Sequence, residues 1–276
     1  MTNGAPAPRT SKRVLMCRPE YYGLKYEINP WMKIENAPDA PLALQQWNEL
    51  YKTITEKCGA QAELVPQYEN CPDMVFTANA GLIRNDIALL SRFRHPQRQL
   101  EEPGYRTWLE SAGYEVILPD PDCNFEGEGD ALFVGETLLA GYLKRSDIRA
   151  HRWISETLGI PVLSLQLSDD RFYHLDTCLF ALDNHTVVYF PDAFDEYARK
   201  VIEGNYDTIT VSDKEALRFC CNSVVLGNKI VMPAGCPDLT ARLEKRGYEL
   251  YSVEMSEFLK TGGACKCLTL HLRDQE

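Results

Sequence analysis

The chain has 276 residues, 45% apolar and 25% charged, with 10 cysteines and a formal net charge of −11. That charge argues against nucleic-acid binding, which rests on Lys and Arg neutralising phosphates, and it suits a cationic small molecule. No apolar stretch reaches the ~20 residues that cross a bilayer, and residues 1–12 read as a loose polar tail without an apolar signal core, so no membrane partner and a cytoplasmic location are expected.

In chain order, residues 14–17 form an apolar run with no sequence neighbour to pair with. A helix over 41–58 follows, with Trp47, Leu50, Tyr51, Ile54 and Cys58 on one face and Gly59 to end it. A strand at 61–66 comes next, then an apolar run at 74–77. From there one unit recurs: a hairpin, a helix and a further strand. The hairpins cover 81–91, 131–141, 178–190 and 223–232. Helices are expected over 105–112, 146–158 (Ser146 as N-cap, Gly159 as stop), 194–203 and 238–246. Ser212 caps an additional short helix. The returning strands are 114–118, 162–167, 208–211 and 248–253. The hairpin turns are spaced roughly 50, 49 and 44 residues apart, in the range of repeat architectures.

A last apolar run, 267–272, has no partner downstream. It can pair with 14–17, which closes a ring and removes free strand edges. Strands alternating with helices define an α/β protein, and the lack of a Pro/Ser linker makes 13–276 one domain. Most cysteines sit inside apolar runs, which reads as reduced, buried thiols. No pair has zinc-finger spacing, so no metal is expected.

Each unit opens on a polar residue: Asn79, Asp130, Asp176, Asn222 and Cys265. In a closed ring these positions converge on a central channel. Cys265 follows a small-residue stretch, Thr261-Gly262-Gly263-Ala264, that lets a ligand approach the backbone. A thiolate there is a strong nucleophile when a nearby cation or His depresses its pKa. His174 and Asp176 project to one side if their segment is extended, giving an acid/base beside a carboxylate. The loop 126–130 packs Glu126, Glu128 and Asp130 among glycines. Carboxylates at that density match a planar guanidinium, and the loop lacks the calcium-binding pattern.

Four motifs in this order resemble the pentein superfamily of guanidino-modifying enzymes, which includes arginine deiminase, dimethylarginine dimethylaminohydrolase and the amidinotransferases. They are Phe76-Thr77-Ala78-Asn79, the 126–130 loop, His174-Leu175-Asp176-Thr177 and Gly263-Ala264-Cys265-Lys266-Cys267-Leu268. The resemblance implies a five-bladed α/β propeller of ββαβ repeats with pseudo-fivefold symmetry and no cofactor. It implies Cys265 as nucleophile, His174 as general acid/base and Glu126 as its orienting carboxylate, with Glu128 as rival because the loop carries one extra residue. Asp176, Asn79, Asn29 and Asp130 would face the substrate, and Arg98 and Arg145 would clamp its carboxylate, with Arg94 the competitor for Arg98.

Asn79 stands where one-step deiminases carry Asp. Together with the 28–32 stretch it resembles the arginine dihydrolase branch, which implies hydrolysis of arginine to ornithine, ammonia and carbon dioxide through a covalent thioether. The alternatives are a single-step arginine deiminase or dimethylarginine dimethylaminohydrolase, a citrulline ureidase or amidinotransferase, and a noncatalytic arginine-binding protein. The partner expected is a small guanidino or ureido compound, and a homo-oligomer stays open.

Overall fold

The computed structural model describes residues 12–272, so the expected tail lies, but for Lys12, outside the described residues. These residues fold into five three-stranded sheets, each a blade of a propeller. The first blade uses Gly81–Arg84, Ile87–Leu90 and Glu115–Ile117. The second uses Ala131–Val134, Thr137–Tyr142 and Val162–Gln166. Leu179–Ala181, Thr186–Tyr189 and Asp207–Thr210 make the third, and Val224–Leu226, Lys229–Pro233 and Glu249–Val253 the fourth.

In every one of these blades a tight antiparallel hairpin is followed by a strand parallel to its second arm. In the second blade, for example, Ala131 faces Ala140 while Leu138 faces Val162. A parallel neighbour needs a crossover connection, and the helix Ile148–Leu158 supplies it.

The fifth blade is built from both ends of the chain. Leu270–His271 pairs antiparallel with Arg13–Cys17, which pairs in parallel with Gln61–Val65. The ring therefore closes as the sequence predicts, and the α/β propeller is the pentein fold.

Three local expectations shift. The first helix is Ala40–Lys52 and then widens into a π-helical turn, Thr53–Lys57, in which Cys58 N–H reaches back to the Thr53 carbonyl. Asp147, not Ser146, caps the helix Ile148–Leu158, because Ser146 is turned inward to Asp130. The last apolar run is strand only at Leu270–His271; residues 265–268 form a turn. No helix among the described residues is long and apolar enough to cross a membrane.

The helices bury one apolar face each on the blades, as Trp47, Leu50 and Ile54 do. His151 is a polar exception on the helix Ile148–Leu158. Its Nε2 lies 3.3 Å from the Gly141 carbonyl, which can only accept, so Nδ1 accepts a hydrogen bond from the Ser164 hydroxyl at 2.7 Å. Burial lowers its pKa from 6.5 to about 4, against smaller opposing pulls from the Gly141 carbonyl and Asp147. As pH falls below 6.5 the unfolded chain takes the proton and the folded one does not, so stability drains until pH reaches about 4. This site alone amounts to about 3 kcal/mol. Urea titrations from pH 7 to 4 should therefore show a flatter acid loss in His151→Asn than in wild type; equal slopes would remove His151 from the account.

At the hub, short turns precede the first strand of each blade and bond to one another in a circle. Asn79 Nδ2 donates to the Glu126 carbonyl (3.1 Å) and Leu175 N to Asp130 Oδ1 (3.2 Å). Asn222 Nδ2 donates to the Asp176 carbonyl (3.0 Å) and Cys267 N to Asn222 Oδ1 (3.1 Å). Ala78 N donates to the Cys267 carbonyl (3.1 Å), which returns the circle to the first blade.

Candidate active site

A small cavity opens at this hub. Its wall includes Asn29, Asp73, Asn79, Arg98, Arg145, Tyr173, His174 and Cys267, with apolar surface from Ile28, Met32 and Phe76.

The 126–130 loop reaches the cavity because its glycines permit close contact. Gly127 has φ +62°, and a Cβ there would stand 2.7 Å from the carbonyls of Ala78 and Gly81. A Cβ at Gly129 would run into the Asn79 amide. Between them the loop turns Glu126 inward, where it is fully buried. His174 Nε2 donates to Glu126 Oε2 at 2.7 Å, and Arg145 Nη1 donates to the same oxygen at 3.1 Å. The Arg94 backbone N–H holds the other oxygen. Burial alone would raise the Glu126 pKa, but the Arg145 guanidinium and the His174 bond outweigh it and hold the carboxyl well below the usual range. Glu126 is therefore an anion that fixes the imidazole and leaves Nδ1 as the ring nitrogen not committed to it.

Glu128 faces elsewhere. It accepts Lys266 Nζ at 2.7 Å and both His271 N and Nδ1, a buried cluster behind the turn at 265–268. Of the two rival carboxylates, Glu126 is thus the one in contact with His174. Asp130 also stays out of the cavity wall: it holds the Ser146 hydroxyl at 2.6 Å and Leu175 N, so it braces two loops instead of facing a ligand.

The two arginines differ in what they have left to give. Arg98 sets its fork on Glu101, with Nε and Nη2 at 2.9 and 2.8 Å, and gives Nη1 to Asn79 Oδ1 at 2.8 Å. Arg145 stacks on Tyr173 at 4.6 Å and among the described residues makes two bonds, to Glu126 and to the Ile28 carbonyl, so it keeps more donors for a ligand anion. Arg94 is exposed, and its side chain bonds the carbonyls of Leu143 and Lys144. Asn29 lines the cavity, yet its side chain is spent on an Asx turn to Trp31 and Met32 and on the Thr261 carbonyl.

Cys265 does not stand where the sequence reading put it. It is fully buried among apolar neighbours, and burial pushes its thiol up. Cys267, two residues on, lines the cavity with His174. The motif read from the sequence holds two cysteines one residue apart, and with residues 265–268 in a turn it is the second that reaches the cavity wall. The Cys267 thiol donates to Asp176 Oδ2 at 3.3 Å, while Asp176 Oδ1 is buried with no partner among the described residues. Burial raises Asp176 to about 7, partly offset by the Lys266 charge and by bonds from Cys267 and Asn222.

Asp73 was missed altogether. It is buried on the cavity wall and accepts the Tyr26 hydroxyl at 3.0 Å. It sits in a single 3-10 turn, Pro72–Val75, with no periodicity to flag it. The only sequence signal was a carboxylate beside the apolar run at 74–76. Among the described residues no cluster of three or more His, Cys, Asp or Glu could hold a metal ion.

A thiol and a carboxylate-held imidazole therefore share one small chamber with paired cations and anions, on a pentein propeller. This arrangement defines a hydrolase acting on C–N bonds of guanidino compounds. Residues 28–273 match the family model described as "N,N dimethylarginine dimethylhydrolase, eukaryotic", and the chain belongs to that family. The N(G),N(G)-dimethylarginine dimethylaminohydrolase of Mycobacterium tuberculosis is 42% identical over 98% of this chain and 89% of its own length. The bifunctional arginine dihydrolase/ornithine cyclodeaminase ArgZ of Synechocystis is also 42% identical, over 95% of this chain, which spans 38% of that longer protein. A crystal structure of the ArgZ N-terminal domain bound to product superposes with a TM-score of 0.91, covering 95% of this chain and 97% of that one.

Proposed function

We propose that the chain hydrolyses free arginine twice at one site, giving ornithine, carbon dioxide and two molecules of ammonia. The observation that carries this reading is Asn79. Its Oδ1 accepts a hydrogen bond from Arg98 Nη1 and its Nδ2 donates one to the Glu126 carbonyl. One lone pair and one N–H remain, so the amide can meet first a guanidinium donor and then the carbonyl oxygen of neutral citrulline. A carboxylate would only accept.

In this reading Arg145, with help from Arg98, binds the substrate carboxylate, and Asp73 binds its α-ammonium. The guanidinium lies toward Asp176, whose unpartnered Oδ1 is a ready acceptor. At rest the Cys267 thiol is neutral, because burial and the Asp176 charge push its pKa up. Arrival of a cation beside it favours the thiolate. The sulfur then attacks the guanidinium carbon, and His174 passes a proton to the departing ammonia. Water, relieved of a proton by His174, resolves the amidino-thioether to citrulline. A second attack expels ornithine and leaves a carbamoyl group on sulfur, which hydrolyses to carbon dioxide and ammonia.

A second reading, hydrolysis of dimethylarginine, is favoured by the family model and by an equally similar relative. Arginine, citrulline and asymmetric dimethylarginine given separately to purified protein divide the two. Ornithine from both arginine and citrulline supports the dihydrolase. Citrulline accumulating from dimethylarginine, with arginine untouched, supports the second reading and defeats the first.

A further inference from the structure

Asn222 opens the fourth blade at the position that Asn79 occupies in the first, and the mechanism above leaves it without a task. It is fully buried. Its amide orientation is fixed by two partners of unambiguous sense: the Cys267 N–H must donate to Oδ1 at 3.1 Å, and the Asp176 carbonyl must accept from Nδ2 at 3.0 Å. The second hydrogen of Nδ2 therefore points at Cys267 Sγ, 3.0 Å away. On its other side the same sulfur, as a thiol, donates a hydrogen bond to Asp176 Oδ2. The sulfur thus sits between a permanent donor and a proton acceptor.

We propose that Asn222 is a further catalytic residue, whose Nδ2–H holds the Cys267 sulfur as a thiolate once its proton has left. The inference rests on the reading of Cys267 as nucleophile. A hydrogen bond to a charged acceptor is about twice as strong as one to a neutral acceptor, so the contact tightens when sulfur becomes an anion. The other groups facing the sulfur do not replace it. Asp176 repels a thiolate, and Lys266 on the same turn is neutralised by Glu128. Tyr173, His174, Asp73, Arg98 and Arg145 face it across the cavity. Burial and Asp176 push the thiol up, while the Ala264 backbone and Asn222 pull it down.

The test is the pH dependence of Cys267 alkylation by iodoacetamide, located by peptide mass spectrometry, in wild type, Asn222→Leu and Asn222→Ser. Leucine keeps the volume and removes the donor, whereas serine keeps a hydroxyl. The apparent thiol pKa should rise by about one unit or more in Asn222→Leu, which is a tenfold slower alkylation below that pKa, and by less in Asn222→Ser. With arginine as substrate, kcat should fall more than KM rises. An unchanged alkylation profile in a variant with native circular dichroism overturns the proposal, as does failure of both variants to fold, which would make Asn222 a residue of the fold alone. A wild type that turns over no guanidino or ureido compound defeats the proposed function instead, and the alkylation shift still reads Asn222.

Discussion

Cys267→Ser should lose turnover by more than roughly 10⁴-fold, while Cys265→Ser should keep most of its activity per folded molecule. The two cysteines flank one lysine, and both are buried. What separates them is what they touch. Cys267 shares the cavity wall with His174 and bonds Asp176 and Asn222. Cys265 is fully buried and lies off that wall. A serine hydroxyl in place of Cys267 has a far higher pKa, and no neighbour here is a strong enough base to ionise it. At 265 the same change buries a hydroxyl among apolar groups, which costs about 1–3 kcal/mol of stability and lowers the melting temperature without touching the chemistry. Steady-state ammonia release and thermal melts on both variants measure this. An active Cys267→Ser beside a dead, folded Cys265→Ser would restore the assignment first read from the sequence.

Asn79→Asp should divert the product from ornithine to citrulline. The variant loses the Nδ2 donor at that point of the wall, so the ureido oxygen of citrulline meets a carboxylate instead of the amide N–H. It also sets a carboxylate oxygen against the Glu126 carbonyl, whose bond from Asn79 Nδ2 is lost. The unpaired carbonyl costs about 1–3 kcal/mol, and the Arg98 bond on the other side survives. The ratio of ornithine to citrulline formed from arginine should drop at least about tenfold, the equivalent of one lost hydrogen bond of some 1.4 kcal/mol in the second step alone. Chromatography of a time course decides it. Arginine consumption and ornithine yield falling together would show that Asn79 does not distinguish the two steps.

Much of the scaffold was legible because its signals are local. Turn residues Asn85, at φ 52°, and Gly135 and Gly227, at φ 60° and 70°, punctuate three of the hairpins, and Gly113, Gly159 and Gly247 follow three of the helices within three residues. The unpaired runs at the two ends could only satisfy each other. Asn79, Glu126 and His174 were singled out by repeat phase or motif, Arg98 and Arg145 by the family resemblance alone, and the structure brings all five to one hub. The misplaced cysteine has a different cause. Its motif holds two cysteines one residue apart, and which of them reaches the cavity wall depends on the turn at 265–268, which composition does not carry. Asp73 escaped because its place depends on Tyr26, 47 residues away in sequence. The division of labour between Glu126 and Glu128 likewise depends on Lys266 and His271, which reach the loop only after the ring closes.

The circle of hub bonds has a bearing on how such a site can change over time. A row of links with open ends can absorb a misfit by shifting its last member, but one that returns to its start has no last member. Displacing Asn79 alters the carbonyl of the residue that steadies the imidazole, and displacing Cys267 alters both its predecessor and its successor. Substitutions there should interact instead of summing. A lineage moving between one hydrolysis and two would then be expected to alter adjoining blades together, so that single exchanges between relatives report poorly on what either residue contributes in its native setting.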